Sequence, residues 1–340
     1  MSGKKLFLIF PVVVICAVLI EHTLLYATHK NFHEYIYPDY YSGSFPEQIF
    51  RCRTQRKNQY KYLVQKGYKR MKQKSLVICG LARNTADSLD LIIKRLEEVG
   101  NLFNTYQVVI FENDSADTTR EKLKHWQQRN SNVHLLECAV PDCKLGNRPL
   151  YEYGLIGGGR IDRMAQFRNN YLEVVHDQYA HFDYMMVVDM DLKGPWSNDG
   201  LAHTVAQGNW DAVAAFGLHS LPGTLGMVLA VYDALAYIAK DGKYTDSAGF
   251  VVNYFKMNFY DLFGKHKGDA MVPVKSAFSG LALYKIDSIK NCSYAGGACE
   301  HIGLHKQMAQ KGHDKLFINP SLLLLSGHQG PVDMFAVVTQ

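Results

Sequence analysis

Short apolar runs alternate with amphipathic segments between residues 75 and 191. The first run, Ser75–Ala82 (SLVICGLA), has the length and character of a strand that is buried on both faces of a sheet. A helix is predicted from about Thr85 to Val99, because its apolar residues recur on one face, and Gly100 ends it. The same alternation continues with a strand Tyr106–Asn113, a helix carrying Leu123 and Trp126, a strand Val133–Cys138, a helix from about Arg160 to His176 and a strand Phe182–Asp191. This order predicts an α/β fold with a mostly parallel sheet flanked by helices.

One long apolar stretch lies at the N-terminus of the chain. It runs from Leu6 to Ile20 without a charged residue, follows Lys4 and Lys5, and extends to about Ala27. Positive charge before such a block orients the N-terminus toward the cytosol, and no convincing small-residue cleavage pattern follows the block, which favours an uncleaved signal anchor. We therefore expect a type II membrane protein with a cytosolic tail (1–5), a transmembrane signal anchor (6–27), a stem (28–74) and a folded domain (75–340).

The composition excludes several classes of protein. Hydrophobic residues make up 47% of the chain and aromatic residues 12%, which is too apolar for a disordered protein. The chain has 37 Lys and Arg against 32 Asp and Glu, which gives a net charge of +5, and the basic residues are scattered along the sequence. We therefore expect no nucleic-acid partner, whereas a small polyanionic ligand is compatible with the mild positive charge.

Two aspartates, Asp189 and Asp191, stand at the end of the fourth predicted strand. Ligands of parallel α/β sheets bind beyond the carboxyl ends of the strands, and alternate residues of an extended chain point to the same side. Both carboxylates are therefore predicted to face one divalent cation, which prefers hard oxygen ligands. A cation held there could bridge the diphosphate of a nucleotide; the alternative is an ordinary turn at the end of the strand.

Polar residues also follow the first two predicted strands at the same edge of the sheet. Arg83 and Asn84 come after the first strand, and Glu112, Asn113 and Asp114 come at the end of the second. The carboxylates among them are able to accept hydrogen bonds from a base edge or from ribose hydroxyls. This edge of the sheet is therefore predicted to hold a ligand.

Arg168 stands near the middle of the apolar face of the predicted helix 160–176. At 100° per residue, it falls among Ile161, Met164 and Leu172. An arginine at such a position is costly unless a carboxylate or a phosphate meets it. Two interpretations stay open: an ion pair with a core acid such as Asp189, or a contact with a phosphate of a ligand.

Four motifs resemble those of sugar-nucleotide glycosyltransferases of the GT-A fold. They are A-R-N (Ala82–Asn84), F-E-N-D-S-x-D-x-T (Phe111–Thr119), R-I-D-R-M-A-x-x-R-N (Arg160–Asn169) and V-V-D-M-D (Val187–Asp191). The chain looks most similar to the fungal capsule-associated α-1,3-mannosyltransferase group and to related polysaccharide transferases. The resemblance implies a GT-A, Rossmann-like catalytic domain.

The resemblance also implies a donor and metal site. The residues that would hold the nucleotide sugar are Arg83, Asn84, Glu112, Asn113, Asp114, Arg168 and Asp189. Asp189 and Asp191 would bind Mn²⁺ or Mg²⁺ against the diphosphate, and Asp191 would in this way take part in catalysis. His328, after the apolar run Leu322–Leu325, would complete the metal shell.

The acceptor side is predicted between residues 279 and 300. Ser279 and Gly280 are small enough to let an acceptor sugar approach the donor; otherwise they mark a tight entry into a strand. Glu300 precedes a predicted helix, His301–Gln310, whose N-terminus stabilises a carboxylate in any case. We predict that Glu300 deprotonates the acceptor hydroxyl if the enzyme inverts, or positions the acceptor if it retains configuration; Asp246 and Asp269 are weaker candidates for the base.

The expected function is metal-dependent transfer of a hexose, with mannose suggested by the resemblance, from a nucleotide-diphosphate sugar donor to a glycan acceptor. One alternative is an inactive glycan-binding or scaffold protein of the same fold. The other is a nucleotidyltransferase, against which the first strand-end loop, Gly80–Asn84, argues because it is not Gly-rich. Together with the predicted anchor, this places the expected catalytic domain in the lumen of the Golgi or the ER.

Overall fold

The computed structural model describes residues 43–50, 52–138, 158–223, 226–243, 250–262 and 264–329. The predicted cytosolic tail, the predicted anchor and the first part of the predicted stem lie outside these residues. Among the residues that are described, no helix combines the length and the apolar character needed to cross a bilayer.

Strands and helices alternate in the N-terminal half of the described chain, whereas strands dominate its C-terminal half. The strands are β1 (Ser75–Ala82), β2 (Thr105–Glu112), β3 (Val133–Glu137), β4 (Tyr184–Val188), β5 (Ala212–Gly223), β6 (Gly226–Val231), β7 (Ile238–Ala239), β8 (Val272–Ser276), β9 (Leu281–Lys285) and β10 (Leu316–Gln329). The helices are α1 (Lys57–Met71), α2 (Ala86–Gly100), α3 (Thr119–Arg129), α4 (Gly158–Gln178), α5 (Asn198–Gln207), α6 (Phe250–Phe255), α7 (Ile286–Ile289) and α8 (Glu300–Gln310). A 3₁₀ turn (Thr54–Arg56) precedes α1, and a π-helical segment (Lys256–Asp261) follows α6.

Within the described ranges, the strands form one ten-stranded sheet in the order β3-β2-β1-β4-β9-β5-β10-β8-β7, with β6 paired to β5. Strands β1 to β4 pair in parallel. Strand β9 then runs antiparallel between β4 and β5, and β10 is parallel to β5 but antiparallel to β8. The α/β class is confirmed, but the sheet is mixed rather than mostly parallel, because β9 runs antiparallel to β4 and β5, and β6, β7 and β8 also pair antiparallel with their neighbours.

The predicted elements between residues 75 and 191 are present, with ends that differ by up to three residues. Strand β1 has the predicted bounds, Ser75–Ala82, whereas β4 ends at Val188. Asp189 and Asp191 therefore lie in the turn after β4 instead of in the strand. The geometry that brings their carboxylates together is consequently that of a turn, not of an extended chain.

The sheet is covered on both faces, which explains its continuous apolar runs. Along β1, Val77 and Cys79 face one hydrophobic cluster with side chains of α4 and α8, whereas Leu76 and Ile78 face a second cluster with side chains of α1, α2 and α5. All four side chains are fully buried.

Helix α1 lies inside the segment predicted as a stem, but it packs against α5. Its buried residues are Tyr60, Val64, Gly67 and Met71, which recur every three or four positions among exposed lysines. This spacing makes one face of a lysine-rich helix apolar. The folded domain therefore begins before α1, and residues 57–71 are not a free stem.

We expect Gly67→Ala to destabilise the protein, because a Cβ at this position would collide with the backbone of Ala202 in α5. Overpacking of this kind costs roughly 1–3 kcal/mol of unfolding free energy, which urea unfolding measures. Gly43→Ala is the control, since a Cβ there meets nothing within 4 Å. Equal stability of the two variants would contradict the packing of α1 against α5.

Candidate active site

A cleft of about 190 Å³ lies at the carboxyl ends of β1, β2 and β4, where the topology predicts a ligand. Four carboxylates and three guanidinium groups are part of its wall. They belong to Asp189, Asp191, Asp233, Glu300, Arg83, Arg160 and Arg168. This density of opposite charges makes the cleft the candidate active site.

Asp189 and Asp191 line the cleft together. The backbone N–H of Asp189 donates to the carbonyl of Gly280 at 3.0 Å, which ties the turn after β4 to the entry of β9. Burial raises the pKa of Asp189 well above its usual value, and the charge of Asp191 raises it further against the opposing charge of Arg168. Because both carboxylates line the same cleft, they are available to a shared cation, which prefers hard oxygen ligands.

Arg168 connects two carboxylates of the cleft. Its Nε donates to Oε1 of Glu300 at 3.0 Å, and its terminal nitrogen lies 3.5 Å from Oδ1 of Asp189. The residue is 3% exposed, and its guanidinium lies 5.2 Å from the ring centroid of Phe278. The ion pair with core acids therefore exists, so the position of Arg168 is explained without a phosphate.

The cleft offers oxygen donors that suit a divalent cation. Among the described residues, no three His, Cys, Asp or Glu side chains converge on a ready-made metal site. Asp189 and Asp191 supply two carboxylates, which fit Mg²⁺ or Mn²⁺ if ligand phosphate oxygens and water complete the shell. The backbone of His328 belongs to β10, and its side chain lies outside the described part of the structure.

The carboxylate of Glu112 accepts hydrogen bonds from other residues of the protein. It is fully buried, Arg120 Nε donates to its Oε2 at 2.7 Å, and the N–H of Ser115 donates to its Oε1 at 2.7 Å. Glu112 does not belong to the cleft wall. Its carboxylate orders the loop after β2, and the predicted contact of Glu112 with a nucleotide stays a prediction.

The other residues predicted after β1 and β2 divide into two groups. Arg83 and Asn113 line the cleft together with Thr85. Asn113 Oδ1 and Thr85 Oγ1 are buried and have no hydrogen-bond partner among the described residues. Asn84 and Asp114 have left-handed φ values of 50° and 48° and stand outside the cleft wall, so they shape the loops instead of lining the cleft.

Ser279 and Gly280 form a left-handed turn before β9, with φ values of 56° and 81°. Ser279 is fully buried, its hydroxyl donates to the carbonyl of Tyr232 at 3.3 Å, and neither residue belongs to the cleft wall. The turn holds Asp189 through its backbone, and the predicted acceptor contact of Ser279 and Gly280 stays a prediction.

Asp233 is a cleft residue that was not among the predicted site residues, although its segment, Y-D-A-L-A (Tyr232–Ala236), is part of the sequence resemblance. It has a left-handed φ of 64°, and its carboxylate accepts N–H groups of Ser279 at 3.2 Å and Ala236 at 3.4 Å. Burial raises its pKa to about 6, with a further contribution from the charge of Glu300. Ser279 lies in the turn before β9 and Glu300 begins α8, so the tertiary fold brings these partners to Asp233.

His301 is the second such residue. It lines the cleft beside Glu300, is 2% exposed and stacks on Phe278 with ring centroids 3.9 Å apart. Burial lowers its pKa well below the usual value, and Arg168 lowers it further, so the imidazole is neutral. Neither ring nitrogen has a hydrogen-bond partner within the described residues.

Of the two weaker candidates for the base, Asp269 does not belong to the cleft wall. Asp269 lies 3.7 Å from Arg53 and 3.6 Å from Arg56, in ion pairs at the start of α1. Asp246 lies outside the described residues. Glu300 is therefore the candidate that the structure places in the cleft.

We expect the raised pKa of Asp233 to make stability depend on pH. Because the folded-state pKa of about 6 exceeds the ordinary 3.8, the native state binds the proton more tightly, and its stability falls as pH rises from about 4 to 6. The contribution is on the order of 2 kcal/mol. Urea unfolding of metal-free wild type and Asp233→Asn across this range should show a smaller decline in the variant; parallel curves would contradict the assignment.

Neither the models of protein families nor the curated proteins provide a match to this chain. Several solved structures are similar to this chain. The mannosyltransferase PcManGT from Pyrobaculum calidifontis, in complex with GDP-Man and Mn²⁺, is 12% identical over 81% of this chain and 67% of its own, with a TM-score of 0.43. TarS 1-349 from S. aureus in complex with UDP is 11% identical over 77% and 63%, with a TM-score of 0.42.

A mycobacterial protein is also similar, with 13% identity over 81% of this chain and 74% of its own and a TM-score of 0.44. This chain spans less than two thirds of the length of TarS 1-349. Likenesses at these TM-scores assign neither an activity nor a fold family to this chain. The resemblance to the fungal mannosyltransferase group therefore stays a prediction.

Proposed function

We propose that this chain is a glycosyltransferase that takes a sugar from a nucleotide-diphosphate donor with the help of a divalent cation. The observation that carries the proposal is the pairing of Asp189 and Asp191 in a cleft at the carboxyl ends of parallel strands. Arg83 and Arg160 bring positive charge to the same cleft, which suits the phosphates of such a donor.

The strand order β2-β1-β4-β9 gives the cleft a direction. Asn113 and Thr85, at the β2 and β1 end, present buried oxygens without partners among the described residues, which suits hydrogen-bond donors of a nucleoside. Asp189 and Asp191 follow β4 in the middle. The transferred sugar would then lie beyond them, toward β9 and α8.

A bound Mn²⁺ or Mg²⁺ would neutralise negative charge on the departing diphosphate. Asp189 and Asp191 are the side chains that would hold it. The buried guanidinium of Arg168 keeps Asp189 in place from the protein side, so the carboxylate is oriented before the ligand arrives.

Glu300 is the residue we assign to the acceptor hydroxyl. Arg168 fixes its Oε1 at 3.0 Å, whereas Oε2 is met by the Cys299 thiol at 3.6 Å, a weak donor. One oxygen is therefore anchored and the other is able to accept a proton from a hydroxyl. Glu300 would act as the base in an inverting reaction and would position the acceptor in a retaining one.

The finer parts of the proposal rest on the motifs. We infer a hexose as the transferred sugar, with mannose as the first candidate, and a glycan or glycoconjugate as the acceptor. The apolar N-terminal stretch supports an anchor at residues 6–27 and a luminal catalytic domain in the Golgi or ER.

The experiment that tests the proposal is a donor screen. The full-length chain in detergent, with Mn²⁺ present, is incubated with UDP- and GDP-linked hexoses, and the released nucleoside diphosphate is measured. We expect release with at least one donor. Production of pyrophosphate from a nucleoside triphosphate would favour a nucleotidyltransferase, and binding without turnover of any donor would favour a scaffold protein.

A further inference from the structure

Asp233 is the cleft carboxylate that the proposed reaction does not yet use. Asp189 and Glu300 both contact Arg168, whereas Asp233 has no ion pair with a described residue. Its two hydrogen bonds come from backbone N–H groups of Ser279 and Ala236. A carboxylate oxygen has room for more than one donor, so Asp233 retains capacity for a ligand.

The backbone fixes where this carboxylate lies. The N–H of Ser279 donates to Asp233, and the carbonyl of the next residue, Gly280, accepts the N–H of Asp189. One two-residue turn therefore holds both aspartates. Asp233 lines the cleft together with Asp189, which would hold the cation, and Glu300, the predicted acceptor residue.

The surroundings of Asp233 resemble those of a binding pocket for a polyhydroxylated ring. Leu235 and Phe278 supply apolar surface to the same cleft, and ligand pockets combine such surface with a few placed polar groups. His301, buried in this wall, has two ring nitrogens without a hydrogen-bond partner among the described residues. Because buried polar groups are normally paired, these nitrogens are available to a ligand at this end of the cleft.

We propose that Asp233 binds a hydroxyl group of the transferred sugar and thereby helps to select the donor. The inference rests on the proposed function, since it assumes a nucleotide-sugar donor whose diphosphate lies at Asp189 and Asp191. A hydroxyl donates to the carboxylate, and no covalent step is involved. The role is therefore in recognition of the sugar, separate from that of Glu300 at the acceptor.

The test compares ligands that differ only by the sugar. Isothermal titration calorimetry with Mn²⁺ measures the dissociation constants of the nucleotide sugar found by the donor screen and of the matching nucleoside diphosphate, for full-length wild type and Asp233→Asn. We expect the variant to lose about ten-fold or more in affinity for the nucleotide sugar, because a hydrogen bond to a charged group is lost, with nearly unchanged affinity for the nucleoside diphosphate. Asp241→Asn, an exposed carboxylate paired with Lys256, is the control and should change neither constant.

A deoxy-sugar series identifies the contact. The analogue that lacks the hydroxyl bound by Asp233 should bind the wild type more weakly than the parent donor binds it. The Asp233→Asn variant should bind this analogue and the parent donor with equal affinity. If Asp233→Asn weakens the binding of the nucleotide sugar and of the nucleoside diphosphate equally, or changes neither affinity, Asp233 does not recognise the sugar. The proposed function would still stand in that case. Loss of turnover with unchanged donor affinity would also overturn the inference. If wild type binds no nucleotide at all, the proposed function itself is wrong.

Discussion

Replacing Asp191 with Asn is expected to lower kcat/KM with the nucleotide-sugar donor by about a thousand-fold, because a metal ion supplies several kcal/mol of transition-state stabilisation. The remaining turnover should no longer respond to Mn²⁺. The expectation follows from the position of Asp191 in the cleft wall beside Asp189, where the change removes one of the two carboxylates that would hold the cation. Initial rates over a range of Mn²⁺ concentrations measure the effect.

Asp90→Asn is the control for this prediction. Asp90 is exposed and pairs with Lys122 on the surface, so the same chemical change there should leave turnover and its Mn²⁺ dependence unaltered. If Asp191→Asn behaves like this control, the acid pair does not hold a catalytic cation.

Replacing Arg168 with Met should lower the free energy of unfolding by roughly 3–5 kcal/mol and also inactivate the protein. The change removes the buried guanidinium that pairs with Glu300 and Asp189. Leaving a buried carboxylate without its partner lowers the stability of the folded state. Urea unfolding gives the free energy, and the donor assay gives the activity.

Two further variants separate the ion pair from a general effect of the substitution. Arg129→Met breaks an exposed pair with Glu97 and should cost at most about 1 kcal/mol. Adding Glu300→Gln to Arg168→Met should restore part of the stability, because one unpaired charge is removed, without restoring activity. A loss for Arg168→Met no larger than that for Arg129→Met would contradict the role of the ion pair.

The parallel half of the sheet was predictable because its signals are local. The run of β1 and the apolar face of α2 each lie within one stretch of sequence, and the structure reproduces their bounds to within one residue. The mixed half was not predicted. There, β9 pairs with β4 on one side and with β5 on the other, and its residues lie more than sixty positions along the chain from their partners in both strands. No local period of the sequence encodes such an order.

The site divides in the same way. Asp189 and Asp191 were predictable as strand-end residues. The conflict between the charge of Arg168 and its apolar face predicted either a buried acid or a ligand phosphate nearby, and the structure shows the acids. Asp233 was not predicted as a site residue, since its place in the cleft depends on a turn at Ser279, forty-six residues further along the chain. The ion pair of Glu112 was not predicted because its strand-end position gives no sign of Arg120, in the first turn of α3, which pairs with it.

The most direct test of the account is a calorimetric titration of UDP and GDP into the metal-free wild-type chain, with and without Mn²⁺. The account predicts that at least one nucleotide binds with Mn²⁺, that binding is lost when the metal is removed, and that Asp191→Asn abolishes the difference. Equal affinity with and without the metal, or an Asp191→Asn variant that keeps the wild-type response, would contradict the claim that the two aspartates hold a cation against a diphosphate.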